Sequence, residues 1–228
     1  MIMHTIHRLQ RRRFWMLMAF VLLFSTTNVL ADDDWKLKKD KDDIQIFVRK
    51  VPGSKFREFK ATTILQAGMI SVLSLMEDLD SYKQLFPALL EVKLLKQISS
   101  SEFIMYQLIK VPFPAENRDS VIRVKAVRTP LTRGVTFQLT SMWNYLPERK
   151  DAIRVKNLCG SWTFTPNPDG STVTVVYQLY SEPGGQLPPW IANIAIVKRP
   201  FTALSNMKKV VMLSKYRNAK AWELHLFR

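Results

Sequence analysis

Six short segments rich in β-branched and aromatic residues follow one another in the middle of the chain, and turn chemistry separates each from the next. They span residues 90–98, 103–111, 120–127, 135–143, 154–164 and 172–180. The breaks hold Ser99-Ser100-Ser101, residues 112–117, 129–134 and 146–151, and Asn167-Pro168-Asp169-Gly170, stretches whose composition favours turns over extended chain. Strands this close in sequence pair as hairpins, so the run predicts a large antiparallel sheet. A different element ends the chain. Glu182-Pro183-Gly184-Gly185 closes the strands and Pro188-Pro189 opens a helix, proline being favoured in a first helical turn. Trp190, Ile194, Val197, Phe201, Leu204 and Val211 form its apolar stripe, while Lys198, Arg199, Lys208 and Lys209 lie off it, the pattern of an amphipathic helix. Pro200 falls inside and is expected to kink or split it.

Ahead of the six strands come a charged lead-in over residues 32–43, a strand over 44–51, a Pro52-Gly53-Ser54 turn and a returning strand over 56–65. Ile70, Leu73, Met76, Leu79 and Tyr82 then recur at helical spacing across residues 69–86, and Pro87 closes that insertion. The fold class is α+β: a curved antiparallel sheet wrapped around a long C-terminal α-helix, with a helical insertion after the second strand.

The first 31 residues read as an address. Arg8, Arg11, Arg12 and Arg13 give a basic start, residues 14–24 are apolar, and a short stretch ends at Val29-Leu30-Ala31. This is the anatomy of a secretory signal peptide, and cleavage is expected after Ala31. Eleven apolar residues rise only about 16 Å as a helix, short against a hydrocarbon core of ~30 Å; an uncleaved signal anchor is the alternative. The body, residues 32–228, is then a single domain exported to the periplasm.

Rare residues limit the chemistry. His4 and His7 lie in the leading segment, which leaves the body His225 and one thiol, Cys159. An internal disulfide is impossible, and a Cys/His zinc site or a Ser-His-Asp triad is hard to assemble. No metal, cofactor or catalytic residue is expected. Cys159, inside a predicted strand, is expected to be buried. Glu77, Asp78 and Asp80 read as a solvated acidic helix face.

Four stretches carry a family likeness: Trp35-Lys36-Leu37 through Phe47-Val48-Arg49; residues 56–61; Val111-Pro112-Phe113-Pro114 with Asn117-Arg118-Asp119; and Gly160-Ser161-Trp162 through Tyr177 to Pro188-Pro189-Trp190. In this order and spacing they resemble the START family, the steroidogenic-acute-regulatory-protein-related lipid-transfer domains, in their bacterial exported form. The resemblance implies a helix-grip fold around a hydrophobic tunnel that holds one lipid, without catalysis. Where relatives often carry a tryptophan, Phe86 stands here.

Period-2 alternation puts Arg118, Ser120, Ile122, Val124 and Ala126 on the less charged face of their strand. A guanidinium at the mouth of an apolar cavity orders a polar headgroup; alternatively Arg118 and Asp119 are structural, tied to backbone or to each other. Trp190, Ile194, Val197, Phe201 and Leu204 are the candidate lining from the helix. Phe137 and Leu139, Trp162 and Phe164, and Val175 and Tyr177, each pair two residues apart on one strand face, are the candidate walls.

The formal charge is +15, and setting aside the four leading arginines leaves +11 on residues 32–228. Transient contact with an anionic membrane surface fits that charge, solubility alone is the plainer account, and no nucleic-acid-reading motif is present. The expected partner is one lipid, whether sterol, phospholipid, fatty acid or isoprenoid, carried by a monomer between membranes or through the periplasm. The competing classes are a cyclase- or aromatase-like enzyme using the same cavity and a non-transporting interaction module of the envelope.

Overall fold

The computed structural model describes residues 34–187 and 189–226, so the leading segment read as a signal lies outside the described residues. Ten strands form one sheet: β1 (Lys36–Lys41), β2 (Ile44–Lys50), β3 (Arg57–Leu65), β4 (Leu89–Ser99), β5 (Glu102–Ile109), β6 (Asn117–Thr129), β7 (Gly134–Ser141), β8 (Ala152–Arg154), β9 (Asn157–Pro166) and β10 (Val173–Glu182). The order is β1-β2-β3-β10-β9-β7-β6-β5-β4, with β8 off the path and parallel to β6. Between β3 and β4 lie α1 (Met69–Glu77), a 3-10 turn (Leu79–Ser81) and α2 (Tyr82–Leu85); α3 (Pro189–Val210) and α4 (Ser214–Arg217) end the fold. Helix α3 packs on β2, β3 and α2. The expected α+β architecture, a curved antiparallel sheet gripping a terminal helix, is the one observed.

The main core lies between the inner face of the sheet and the helices. Ile44, Ile46 and Val48 of β2 supply it at period 2, and α1 adds Val72, Leu73, Leu75 and Met76. Ala203, Leu204, Met207 and Val210 close it from α3, with Val211 just beyond the helix end, at the i, i+3 and i+4 recurrence of an amphipathic face. A satellite core sits on the outer face, where Ile104, Tyr106, Leu108, Val121 and Ala152 pack with Leu95, Met142 and Leu146. That second layer explains why β6 is buried on both faces from Arg118 to Ile122 and alternates only beyond Arg123.

Several elements depart from the sequence reading. The charged lead-in is strand β1, paired with β2 through a two-residue turn in which Asp42 and Asp43 both adopt positive φ (55° and 57°), the geometry of a tight hairpin turn. Lysines on an outermost strand discourage further pairing. The insertion is not one helix, because the Asp78 carboxylate accepts from the Ser81 backbone N–H at 3.3 Å and from its hydroxyl at 3.1 Å, a local bond that competes with helix continuation. Residues 154–164 are not one strand: β8 pairs with β6, and the chain then crosses to β7 as β9. Helix α3 runs unbroken through the buried Pro200. Cys159 is exposed on the outer face.

Buried polar groups fix two junctions. Asp119 is fully buried and Arg154 is 2% exposed; the guanidinium donates twice to the carboxylate, at 3.0 and 2.9 Å, and also to the Trp143, Leu146 and Pro147 carbonyls. The loop over the satellite core thus hangs on one side chain. At the other end, Asp78 accepts from Lys215 at 2.7 Å and Tyr216 at 2.8 Å, and Glu77 accepts from the backbone N–H groups of His225 and Leu226. Two of the three acidic residues read as solvated therefore fasten the C-terminal segment to α1.

Arg154→Ala leaves the buried Asp119 carboxylate without its counter-ion and should cost about 3–5 kcal/mol in urea unfolding; removing Lys156 from its exposed pair with Glu148 should cost at most about 1 kcal/mol. Burial alone would raise the Asp78 carboxyl, but the hydrogen bonds from Lys215, Tyr216 and Ser81 hold it below its ordinary value of 3.8. A depressed carboxyl stabilises the fold above its unfolded-state value, and that contribution disappears as pH falls through the folded-state value. Asp78→Asn should therefore lower the melting temperature at pH 7, with the gap to the parent narrowing below about pH 4.

Candidate functional site

Strands β7, β9 and β10 lie side by side, and their inner faces carry most of the residues singled out from sequence. Register brings Phe137 opposite Trp162, Trp162 opposite Tyr177, and Phe164 opposite Val175, so the period-2 pairs meet in one patch. The Trp162 and Tyr177 rings stack 3.7 Å apart at 9°. Phe137 meets Phe164 edge-on at 5.9 Å, and Phe59 of β3 meets Tyr177 edge-on at 4.9 Å. Such edge-to-face and stacked contacts fix ring orientation beyond what apolar burial requires. Gly160 permits the close packing, since a Cβ there would lie 2.4 Å from the Gln178 carbonyl oxygen.

Phe137, Leu139, Trp162, Phe164, Val175 and Tyr177 are all buried in the main core, as is Leu204; Val197 and Phe201 pack against it partly buried. The Lys39 ammonium sits 3.6 Å from the Phe201 ring centroid, which covers the outer side of that ring. Ile194 does not join them. It is 53% exposed, because the buried stripe of α3 runs through Val197, Pro200, Leu204 and Met207 and leaves Ile194 to one side. The side chain of Trp190 lies outside the described residues. Phe86, in the place noted for a tryptophan in relatives, lies edge-on to Trp162 at 6.3 Å.

Arg118 is 4% exposed, and its guanidinium donates to three carbonyls: Glu116 at 2.5 Å, Pro183 at 3.1 Å and Gly184 at 3.0 Å. It ties the start of β6 to the segment between β10 and α3, which is the structural one of its two expected roles. The adjacent Asp119 faces the other way, to Arg154. Burial lowers the basicity of Arg118. Beside this tie, Pro114, Ala115, Glu116, Gln186 and Leu187 line an open cavity of about 570 Å³.

Tyr177 and Trp162 are 8% and 4% exposed; among the described residues no buried side-chain nitrogen or oxygen is left without a hydrogen-bond partner. Burial pushes the Tyr177 phenol far above its ordinary range, and the Arg199 charge works in the opposite direction. Arg199, expected on the solvent face, is exposed; sequence reasoning passed over Phe59, whose period-2 relation to the buried Ala61 was a usable signal. Among the described residues no cluster of His, Cys, Asp and Glu could hold a metal.

Arg118→Leu removes the donors that hold Pro183 and Gly184. It should speed amide hydrogen exchange across residues 184–187 and cost about 2 kcal/mol of stability, while exchange in β2 and β3 stays at the parent rate.

The START domain family model matches residues 21–216. An uncharacterized protein of Pseudomonas aeruginosa is 36% identical over 181 residues, 79% of this chain and 88% of the relative. The human phosphatidylcholine transfer protein is 30% identical over 172 residues, 73% of this chain and 78% of the relative. A solved STAR-related lipid transfer protein from Xanthomonas axonopodis superposes with TM-score 0.72 at 32% identity, covering 78% of this chain and 99% of that one. With the match spanning the sheet and the terminal helix, the chain belongs to the START domain family.

Proposed function

We propose that this protein carries a single lipid in the space between the inner face of the sheet and α3, moving it between membranes or through the periplasm without chemical change. The observation that carries this reading is the aromatic wall of Trp162, Tyr177, Phe164 and Phe137, stacked and edge-on to one another across adjacent strands of the inner face. A wall of this kind suits a ligand that is mostly apolar with one polar end. Lipid-transfer relatives support it, and so does the histidine inventory: His225 is exposed, and its backbone N–H is bound to Glu77.

Energetics set what the carrier must supply. Drawing a lipid from a bilayer exposes roughly 0.8 kcal/mol per CH₂, on the order of 12 kcal/mol for a sixteen-carbon chain. Apolar burial inside the protein offsets that term. Entry requires a gate, and the segment before α3 has the backbone for one. Gly184 and Gly185 hold positive φ (66° and 57°), and Arg118 ties the Gly184 carbonyl down. Movement there admits the ligand. Exposed Lys198 and Lys209 on α3 favour a transient approach to an anionic bilayer. Among the described residues no helix is long and apolar enough to cross a membrane.

Native mass spectrometry of the protein purified from its own host, followed by solvent extraction, tests the proposal. One lipid class at near one-to-one stoichiometry is the expected result. Phe201→Asp should keep the far-ultraviolet circular dichroism of the parent and lose most of the bound lipid. Undiminished lipid recovery from that folded variant, or a lipid-free parent that gains no thermal stability from added lipids, would sink the assignment.

A further inference from the structure

The inner face of the sheet is not covered evenly. Helix α3 packs on β2, β3 and α2. On the far side Leu94 of β4 is 51% exposed, although it pairs with the buried Met105 and so shares its inner face. Val92, Phe103 and Ile109 on that face are only partly buried. They form an apolar strip along β4 and β5 that solvent reaches. Gln107 lies in the middle of it. It pairs with Val92 on one side and with Ser120 of β6 on the other, and Met105 and Ile109 flank it two residues away on its own strand.

Other polar side chains on this face are consumed by backbone. Thr63 donates to the Asp43 carbonyl at 2.7 Å, Ser141 to the Val155 carbonyl at 3.3 Å, and Arg118 to three carbonyls. Gln107 and Ser120 differ. The Gln107 amide donates to the Ser120 hydroxyl oxygen at 2.9 Å, and among the described residues neither side chain makes any other hydrogen bond. An amide and a hydroxyl joined by one bond keep both donors and acceptors to spare. Among the described residues no buried side-chain nitrogen or oxygen lacks a partner, so the Gln107 oxygen, which accepts nothing, borders accessible space. Ser120 is 2% exposed, which seats the pair in the floor of the strip and not on its rim.

We infer that Gln107 and Ser120 form the polar anchor of the carried lipid and select a polar end that is an uncharged hydroxyl. A hydroxyl donates to the Gln107 oxygen and accepts from the amide or from Ser120, so it completes the pair without bringing in charge. A phosphate or carboxylate is served poorly here. The neighbouring cation on this face of β6, Arg118, has its Nε, Nη1 and Nη2 each committed to a carbonyl, and an anion buried against neutral partners alone is costly. The inference rests on the lipid-carrier reading and specifies its cargo.

Probes that share one tail isolate the polar end. Decanol, decyl methyl ether (which keeps the oxygen and loses the donor) and sodium decanoate are titrated calorimetrically into the full chain and its variants, below their aggregation concentrations. The parent should bind decanol about tenfold more tightly than either the ether or decanoate. Gln107→Leu should abolish that preference by weakening decanol alone, and Ser120→Ala should reduce it several-fold, both with the circular dichroism of the parent. Gln138→Leu alters an exposed amide on the outer face of β7 and should leave the preference intact; an equal loss there would overturn the anchor. A parent that binds decanol and the ether equally, with Gln107→Leu changing neither, refutes the anchor and leaves the carrier standing. Decanoate bound more tightly than decanol would mark an anion seat and overturn the choice of an uncharged polar end. If none of the three binds, the carrier reading falls and the anchor with it.

Discussion

Strand β10 is clasped on both sides, by β3 through pairs such as Tyr177 with Ala61 and by β9 through pairs such as Tyr177 with Trp162. Among the described residues the two halves of the sheet, an N-terminal meander and a central one, have no other antiparallel seam between them. Partners so distant in sequence carry a large loop-closure entropy, and the aromatic wall arises only once that cost has been met. Phe59 contributes from one half, Trp162 and Phe164 from the other, and Tyr177 is the ring in contact with both. Helix α3 follows β10 directly, so its placement over the inner face depends on the same seam.

The two faces of the sheet treat charge in opposite ways. On the outer face a buried carboxylate and a buried guanidinium meet with bidentate geometry, and the remaining donors find carbonyls. This is the condition under which a buried ion pair is tolerated. On the other side Arg118 donates to three carbonyls, and Arg199 makes one long hydrogen bond to the Lys110 carbonyl.

Much of this was legible from residue spacing. Turn chemistry separated the hairpins, and period 2 assembled Phe137, Leu139, Trp162, Phe164, Val175 and Tyr177 on one face, because a pleated strand with one covered side cannot hide its alternation. The same parity puts Cys159 with Ser161 and Thr163 on the outer face, and it outweighs the general tendency of cysteine to be buried. Other features lay beyond one-dimensional reading. Strand β1 is hidden by its lysines, since an edge strand need not be apolar. The break at Asp78 and the partnership of Asp119 with Arg154 depend on groups brought together by the fold. Arg118 and Arg199 look alike in sequence; only the carbonyls around one of them distinguish clamp from open cation.

The single thiol offers a vantage point on the wall without intruding on it. Cys159 is the chain's only cysteine and is exposed on β9, three residues before Trp162 on the opposite face. Partial burial and the nearby Glu58 charge raise its thiol above the ordinary range, so at neutral pH it stays protonated and slow to oxidise. A maleimide fluorophore or spin label attached under mildly alkaline conditions would ride on the back of the strand whose front carries the stacked rings. Occupancy of the inner space could then be followed in real time from outside it, on a protein otherwise unaltered.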